Sequence, residues 1–343
     1  MIKQSILTPI YFLLFFMTLS VCAEENTILD SYPHVVITNG IIETSVFLPD
    51  TEKGFYRSTR YEWSGMVWQL TYKNHTYFLL GQDKNPLPLR QEHNPLDPNH
   101  GASLAHQFET EYPATEKHGK TIMKIGIGNV DAVNQSKIVD PGRWRTLHGD
   151  AWIEFIHELK NENGYGYSYK KRMELTEGKP ELVISNSLTN TGTKPLTTKQ
   201  YCHNFFTIDD DCIGKNYELE LFFKPVFNVL RPDIFKNQTD FNPYAVIQDN
   251  KIVIMKDIDV KGGIFAILGG YDDSLAHNHS IIRNKRTGAS VDITGDFPLA
   301  DFKFWSDIST ICPELFVGIF LKQGETKEWK RIYEFFISPS STK

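Results

Sequence analysis

Apolar and polar residues alternate in short runs along most of the chain, which is the pattern of half-buried β-strands. Few segments place apolar residues at helical spacing. Between two of the runs, Asn39-Gly40 supplies the positive φ angles that a two-residue hairpin turn requires. The spacing predicts strands over residues 35–38, 41–48, 67–72, 76–80, 121–127, 152–159, 165–175, 181–188, 198–207, 217–223, 251–255, 263–268, 280–283, 302–306, 314–321 and 328–336.

This succession of strands, broken at even intervals by turn residues, predicts an all-β fold, a large antiparallel β-sandwich. Residues 82 to about 106 are rich in Pro, Asn, Asp and His, a composition typical of a long surface loop. We see neither an internal repeat nor a linker. Residues 24–343 are therefore expected to form a single domain.

The first 23 residues have the pattern of a secretory signal peptide: Lys3, an apolar run over residues 6–21, and a small residue, Ala23, before acidic residues. The pattern predicts cleavage after Ala23 and export to the periplasm or the extracellular medium. Leu19-Ser20-Val21-Cys22 is also similar to a lipobox, which leaves a lipid anchor on Cys22 as an alternative. No later run approaches the roughly 18 apolar residues of a transmembrane helix.

The formal net charge is −6 and the charges are interspersed, so nucleic acid is not an expected partner. Aromatic residues make up 13% of the chain, which suits both sandwich cores and sugar-binding clefts. Signal cleavage would leave Cys202, Cys212 and Cys312, enough for one disulfide whose pairing stays open. No Cys or His spacing matches a structural zinc site, so no metal is expected.

Two isolated polar residues lie inside apolar, strand-like runs. His203 lies in the run from Tyr201 to Ile208, and Glu314 lies in the run from Ile311 to Val317. Burial of an imidazole or a carboxylate costs free energy unless the group is hydrogen-bonded or lines a wet cleft. The two residues are therefore candidates for a proton-transfer pair, and the alternative is that each is a satisfied core group.

Together with the predicted order of strands, these two residues make the segment 150–336 resemble the galactose mutarotase (aldose 1-epimerase) superfamily. Two strands, the turn Asn190-Thr191-Gly192 and a strand that carries His203 before Phe205-Phe206 follow the order found in that family. Phe304-Trp305 and then Cys312-Pro313-Glu314 resemble its closing segment, in which a Cys-x-Glu motif supplies a catalytic carboxylate.

The resemblance implies an enzyme that interconverts sugar anomers without a metal or an organic cofactor. It implies that Glu314 is the general base and His203 the general acid, placed on opposite sides of the sugar ring. The expected partner is a carbohydrate, either a free hexose or the reducing end of an oligosaccharide.

Further residues are candidates for holding the sugar. Arg57 or Arg60 stands near the position of an early arginine in the family, although each also suits a salt bridge with a nearby glutamate. The family's second histidine has two competing equivalents, His100 and His148, each followed by Gly.

Trp305 is a candidate wall of the sugar cleft. Residues 121–145 have no clear equivalent in a minimal mutarotase, and an insertion there would reshape the cleft.

Two other functions remain open on such a sandwich. One is a carbohydrate-binding protein without catalytic activity. The other is a glycoside hydrolase, which needs two carboxylates flanking the bond, or a polysaccharide lyase, in which His203, Asn204 and the arginines would act on a uronate.

Overall fold

The computed structural model describes residues 29, 31–78, 93–112, 120–231, 240–241, 243–259 and 263–338. The predicted signal peptide, Cys22 and part of the predicted loop (residues 82–92) lie outside these residues. The strands are β1 (His34–Thr38), β2 (Ile42–Phe47), β3 (Val67–Tyr72), β4 (His75–Thr76), β5 (Ala105–Glu111), β6 (Thr121–Lys124), β7 (Gly128–Asp131), β8 (Ile138–Asp140), β9 (Arg143–His148), β10 (Trp152–Lys160), β11 (Gly166–Leu175), β12 (Glu181–Asn190), β13 (Leu196–His203), β14 (Tyr217–Leu221), β15 (Val226–Leu230), β16 (Ala245–Gln248), β17 (Lys251–Ile254), β18 (Ile264–Gly269), β19 (His279–Asn284), β20 (Ala289–Gly295), β21 (Asp301–Ser306), β22 (Ile311–Leu321) and β23 (Thr326–Ile337). Single 3₁₀ turns lie at Ile208–Asp210 and Leu275–His277.

Two large sheets dominate the fold. One has ten strands in the order β16-β17-β14-β19-β20-β23-β12-β11-β10-β9, and the other has six in the order β15-β18-β21-β22-β13-β5. Every described strand pair is antiparallel. Ile184 and Tyr333 of the ten-stranded sheet share one buried apolar cluster with Phe304 and Leu315 of the six-stranded sheet. The predicted all-β antiparallel sandwich is confirmed.

Two smaller sheets complete the architecture, β1-β2-β3-β4 and β6-β7-β8. The predicted opening hairpin is present: β1 pairs with β2, and Gly40 has a φ of 80°. The sheet β6-β7-β8 is built from the segment 121–145, the segment without a clear equivalent in a minimal mutarotase.

Several predicted strands end earlier or later than the sequence pattern indicates. The strand predicted over 198–207 ends at His203, where the backbone N–H of Phe205 bonds to the carbonyl of His203 in a tight turn. Of the strand predicted over 76–80, Thr76 belongs to β4. Strands β5, β7, β8, β9, β15, β16 and β20 were not predicted, because most are short or carry polar residues on both faces.

The register of β5 and β13 decides where the candidate residues point. His203 lies opposite Ala105, and Cys202 lies opposite His106. Because successive side chains of a strand point to opposite faces, His203 and His106 lie on different faces of the six-stranded sheet. One face looks into the core between the large sheets, where Cys202 packs, and the other carries His203.

Cys202, Cys212 and Cys312 are free thiols, so the one disulfide that the sequence allowed among these three cysteines is not formed. In the described ranges, no helix has the length and apolar character that crossing a membrane requires.

Candidate active site

His203 and Glu314 lie next to each other in the structure. The Nε2 atom of His203 is 3.2 Å from the Oε1 atom of Glu314, and each residue is 4% exposed. They come from the neighbouring strands β13 and β22 of the six-stranded sheet. In this structure the two groups contact each other directly, and their expected placement on opposite sides of a sugar ring stays a prediction.

Aromatic rings hold the imidazole of His203. It stacks on Phe205 with centroids 3.9 Å apart, and the edges of Trp305 and Tyr61 meet it at 5.3 and 6.0 Å. Its Nδ1 atom is buried and has no hydrogen-bond partner among the described residues. A buried polar atom without a partner costs free energy, and a bound ligand or water that bonds to it would remove that cost.

Burial reverses the charges that the sequence analysis expected for the pair. Desolvation raises the pKa of Glu314 to about 8, although the positive charges of Lys303 and Arg60 oppose that rise. Desolvation lowers the pKa of His203 well below its ordinary value, and the charge of Arg60 lowers it further. At neutral pH the carboxyl of Glu314 therefore holds the proton, and the imidazole of His203 is neutral.

Arg60 lies beside this pair, whereas Arg57 does not. The guanidinium of Arg60 donates to the side-chain oxygens of Asn99 (2.7 Å) and Gln107 (3.4 Å), and it lies 4.6 Å from the centroid of the Tyr61 ring. Its charge acts on both His203 and Glu314.

The guanidinium of Arg57 donates to the backbone carbonyl of Glu52. The partner of Arg57 is thus a backbone carbonyl and not the glutamate carboxylate of the salt bridge considered as the alternative role of the arginines.

Trp305 and Asn204 have different surroundings. Trp305 is half-buried and meets His203 edge to face, which makes it a wall of the site. The side chain of Asn204 is buried, donates to the carbonyl of Pro313 (2.7 Å) and accepts from the hydroxyl of Tyr333 (3.0 Å). Asn204 therefore fixes β13 against its neighbours, and its predicted contact with substrate is not supported.

The two histidines proposed as the family's second histidine lie in different surroundings. His100 is buried in the loop before β5, where its Nδ1 atom accepts from the backbone N–H of Asn94. His148 is exposed on β9, the terminal strand of the ten-stranded sheet. The loop of His100 approaches the site through Gly101, which packs tightly on the ring of Tyr61.

Sequence analysis missed Gln107 and Lys303. Gln107 accepts a hydrogen bond from the hydroxyl of Tyr201 (2.7 Å) as well as from Arg60. Lys303 lies opposite Glu314 in the strand register and pairs with Glu109 at 2.9 Å. Lys303 could have been predicted from the sequence, because it lies two residues before Trp305 and the side chains of alternate residues lie on one face of a strand.

A second ionisable cluster lies on the other face of β5 and β13. Glu62, His106 and Lys171 are each fully buried, and the ammonium of Lys171 contacts the carboxylate of Glu62. The Lys171 Nζ atom also donates to the carbonyl of Ser64 (3.1 Å) and lies 3.0 Å from the His106 Nδ1 atom. Since Lys171 lies on β11, this cluster bridges the two large sheets.

Desolvation lowers the pKa of His106 to about 3 and holds the pKa of Lys171 well below its ordinary value. Within the described residues, no group of three or more His, Cys, Asp or Glu side chains is arranged to hold a metal ion.

Comparison with known proteins gives a clear result for the fold. No protein-family model matches the sequence, and no curated protein matches it. Among solved structures, the fold is similar to a protein from Escherichia coli K12 whose name assigns it provisionally to the aldose 1-epimerases. The TM-score is 0.57 at 11% identity, over 89% of this chain and 99% of that one.

Two further solved structures agree. A galactose mutarotase-like protein from Lactobacillus casei has a TM-score of 0.53 at 14% identity, over 88% of this chain and all of that one. A galactose mutarotase related enzyme from Lactobacillus acidophilus has a TM-score of 0.54 at 13% identity, over 90% of this chain and 99% of that one. At these identities the likeness concerns the fold, and at that level it confirms the resemblance drawn from the sequence.

Proposed function

We propose that the protein is an aldose 1-epimerase-like enzyme that interconverts sugar anomers by proton transfer through His203 and Glu314. The observation that carries the proposal is the contact of these two buried groups at 3.2 Å, with an imidazole nitrogen left unpartnered. The fold is shared with proteins whose names assign them to aldose 1-epimerases or galactose mutarotases, which supports the same reaction.

The chemistry requires two proton transfers at neighbouring oxygens of the sugar. The anomeric hydroxyl oxygen and the ring oxygen are both bonded to C1, so an acid and a base that approach from one side can reach both. The base removes the anomeric hydroxyl proton while the acid protonates the ring oxygen. The C1–ring oxygen bond breaks, a carbonyl forms at C1, rotation about C1–C2 turns its other face, and reclosure reverses both transfers.

The resting protonation decides which residue begins as the acid. Because the carboxyl of Glu314 holds the proton and His203 is neutral, we assign the first donation to Glu314 and the first abstraction to His203. On reclosure the roles exchange, so each residue acts once as acid and once as base. The assignment implied by the family resemblance is the opposite one, with Glu314 at the anomeric hydroxyl and His203 at the ring oxygen during ring opening.

Neighbouring side chains complete the proposed sugar site. Arg60 would donate to sugar hydroxyls, and the half-buried face of Trp305 would pack against sugar C–H groups. A hydrolase needs a second carboxylate, but the acidic residues that act on Glu314 are paired: Glu109 with Lys303 at 2.9 Å and Asp301 with Lys199 at 3.6 Å. These pairings favour anomer exchange over glycoside hydrolysis.

We also propose that the chain is cleaved after Ala23, is exported and forms a single domain. Expression of the full chain followed by mass measurement of the mature protein tests the cleavage and detects a lipid on Cys22. A mass that retains residues 1–23 would contradict this part of the proposal.

The test of the reaction is to add the mature protein to freshly dissolved α-D-glucose and α-D-galactose and to follow anomer exchange by NMR. We expect acceleration that is lost in Glu314→Gln and in His203→Ala. The matched control is His148→Ala, which removes an exposed histidine outside the site. Absence of acceleration on either sugar, or full activity in both site variants, would contradict the proposal.

A further inference from the structure

A groove is lined by Arg60 and Gln107, two neighbours of the candidate pair, although neither His203 nor Glu314 lines it. Its volume is about 940 Å³, near the upper end of the roughly 300–1,000 Å³ found for small-molecule sites. Residues that define its course are Arg60, Gln107, Thr110, Tyr112, Ile122 and Tyr165. A single hexose ring fills only part of this space.

Two residues connect the groove to the site. Arg60 and Gln107 both line the groove and have partners at the site. Arg60 acts electrostatically on Glu314, and Gln107 accepts from the hydroxyl of Tyr201, which packs near His203 with ring centroids 6.3 Å apart. A ligand whose terminal unit contacts the pair can therefore continue into the groove past these two side chains.

One wall of the groove is the outer edge of β5. This strand is terminal in the six-stranded sheet, and the carbonyl of His106 points away from β13, since it accepts from the backbone N–H of Glu62 at 2.9 Å. Backbone groups alternate in direction along a strand, so Phe108 and Thr110 also direct theirs outward. Both residues line the groove, which therefore receives backbone donors and acceptors suited to hydroxyl groups.

The opposite wall combines amide and aromatic side chains. It includes Asn161, Asn163 and Tyr165 from the turn between β10 and β11, and the ring of Tyr112 meets that of Tyr165 edge to face at 5.0 Å. Sugars present hydroxyl groups at the rim of each ring and C–H groups on its faces. Amides and aromatic rings match these two features.

The charged residues that line the groove are of both signs, Arg60 and Lys124 against Glu109 and Glu111, which favours a ligand without net charge. The ammonium of Lys124 donates to the carbonyl of Thr59 at 2.9 Å, and burial lowers its pKa. Glu109 pairs with Lys303, whereas Glu111 is exposed at the rim and would repel an anion. A polymer of uronates would meet this carboxylate along its length.

We propose that the groove binds the further units of a neutral oligosaccharide whose reducing-end sugar contacts His203 and Glu314. The placement of the reducing end rests on the proposed function, whereas binding in the groove does not. The substrate class is thus a neutral chain of two or more sugars rather than a free hexose.

Ala132 and Val133 provide a matched pair of variants. Ala132 lines the groove, whereas its neighbour Val133 is 97% exposed and does not line it. Ala132→Trp should fill the groove with an indole, and Val133→Trp adds the same side chain to the surface. The probes are maltotriose, cellotriose and mannotriose, compared with glucose and with trigalacturonate, by titration calorimetry.

At least one neutral trisaccharide should bind about tenfold more tightly than glucose, a difference equal to about 1.4 kcal/mol. Ala132→Trp should abolish that gain and Val133→Trp should keep it. Equal affinity for glucose and all three trisaccharides overturns the proposal, as does tighter binding of trigalacturonate or the same loss in both variants.

The two proposals fail in different ways. Glu314→Gln should still bind the trisaccharide, because the groove does not depend on proton transfer. If the wild type binds the trisaccharide but does not accelerate anomer exchange, the proposed reaction is overturned and the proposed binding in the groove stands. If the wild type exchanges glucose anomers but does not bind trisaccharides more tightly than glucose, the proposed binding in the groove is overturned and the proposed reaction stands.

Discussion

The two faces of the β5–β13 strand pair carry similar groups in different settings. On the outer face, His203 and Glu314 form a pair that retains slight exposure. On the inner face, His106 lies 3.8 Å from Glu62, and Lys171 contacts both of them. Each set joins an imidazole to a carboxylate, but only the inner set contains its own cation.

This difference separates a proton-transfer site from a structural cluster. In the inner set, Lys171 supplies the positive partner of Glu62, and Ser64 provides a further hydrogen bond through its carbonyl. The outer pair has neighbouring cations, Lys303 and Arg60, that act on it from a distance, and desolvation keeps the proton on Glu314. A buried imidazole and carboxylate indicate chemistry where the carboxyl has no cation in direct contact and a ligand has access to the pair.

The largest expected effect is on catalysis at the outer face. Glu314→Gln and His203→Ala should each lower kcat for anomer exchange by a factor of about 10² to 10⁴, the usual contribution of a general acid or base. Because each ring opening needs both residues, one as the acid and one as the base, the double variant should lose little more than the worse single variant. Additive losses, measured by NMR exchange rates, would show that the residues act independently.

The next largest effect is on stability at the inner face. Lys171→Met should lower the free energy of unfolding by about 3–5 kcal/mol, because Glu62 would remain buried without its cation. Lys170→Met, which changes an exposed neighbour on the same strand, is the control. Urea denaturation followed by circular dichroism compares the two, and equal small losses would show that the inner cluster is not a coupled unit.

A smaller effect of opposite sign is expected when the outer carboxyl is removed. Above pH 4.5 the unfolded carboxyl of Glu314 loses its proton, while the folded one keeps it until about pH 8, so stability falls as pH rises through this window. Glu314→Gln cannot ionise and should be more stable than the wild type above pH 8 by about 1–4 kcal/mol. Exposed Glu328→Gln is the control, and a destabilised Glu314→Gln at pH 8.5 would contradict the raised pKa.

The smallest effect concerns the two arginines. Arg60→Ala should raise KM about tenfold, which corresponds to about 1.4 kcal/mol of lost binding, because its guanidinium lies beside the pair. Arg57→Ala should leave KM within about twofold, since that side chain donates to a loop carbonyl. A reversed order in steady-state kinetics would place the sugar on the Arg57 side.

The sequence predicted much of the fold and the outer pair, because both depend on local pattern. Alternation located β3 and most of the long strands, and two polar residues inside apolar runs identified His203 and Glu314. The edge strand β5 was missed because its residues around Gln107 and Glu109 are polar where they face the cleft. Without β5, neither Gln107 nor the groove could be predicted.

The remaining differences depend on which strands are neighbours. Lys171 stands in the run Lys170-Lys171-Arg172, which looks like a solvated surface until the register turns alternate residues inward. Asn204 looked suited to a ligand, but the structure places the carbonyl of Pro313 and the hydroxyl of Tyr333 against it. Such partners come from strands more than one hundred residues away in the sequence.

The most direct test compares the two histidines by the same substitution. His203→Asn and His106→Asn should each be assayed for α-D-glucose anomer exchange by NMR, at a temperature where circular dichroism shows both variants folded. The account predicts that His203→Asn loses the acceleration and that His106→Asn keeps most of it despite a lower stability. Retained activity in His203→Asn, or an equal loss in folded His106→Asn, would contradict the distinction between the two faces.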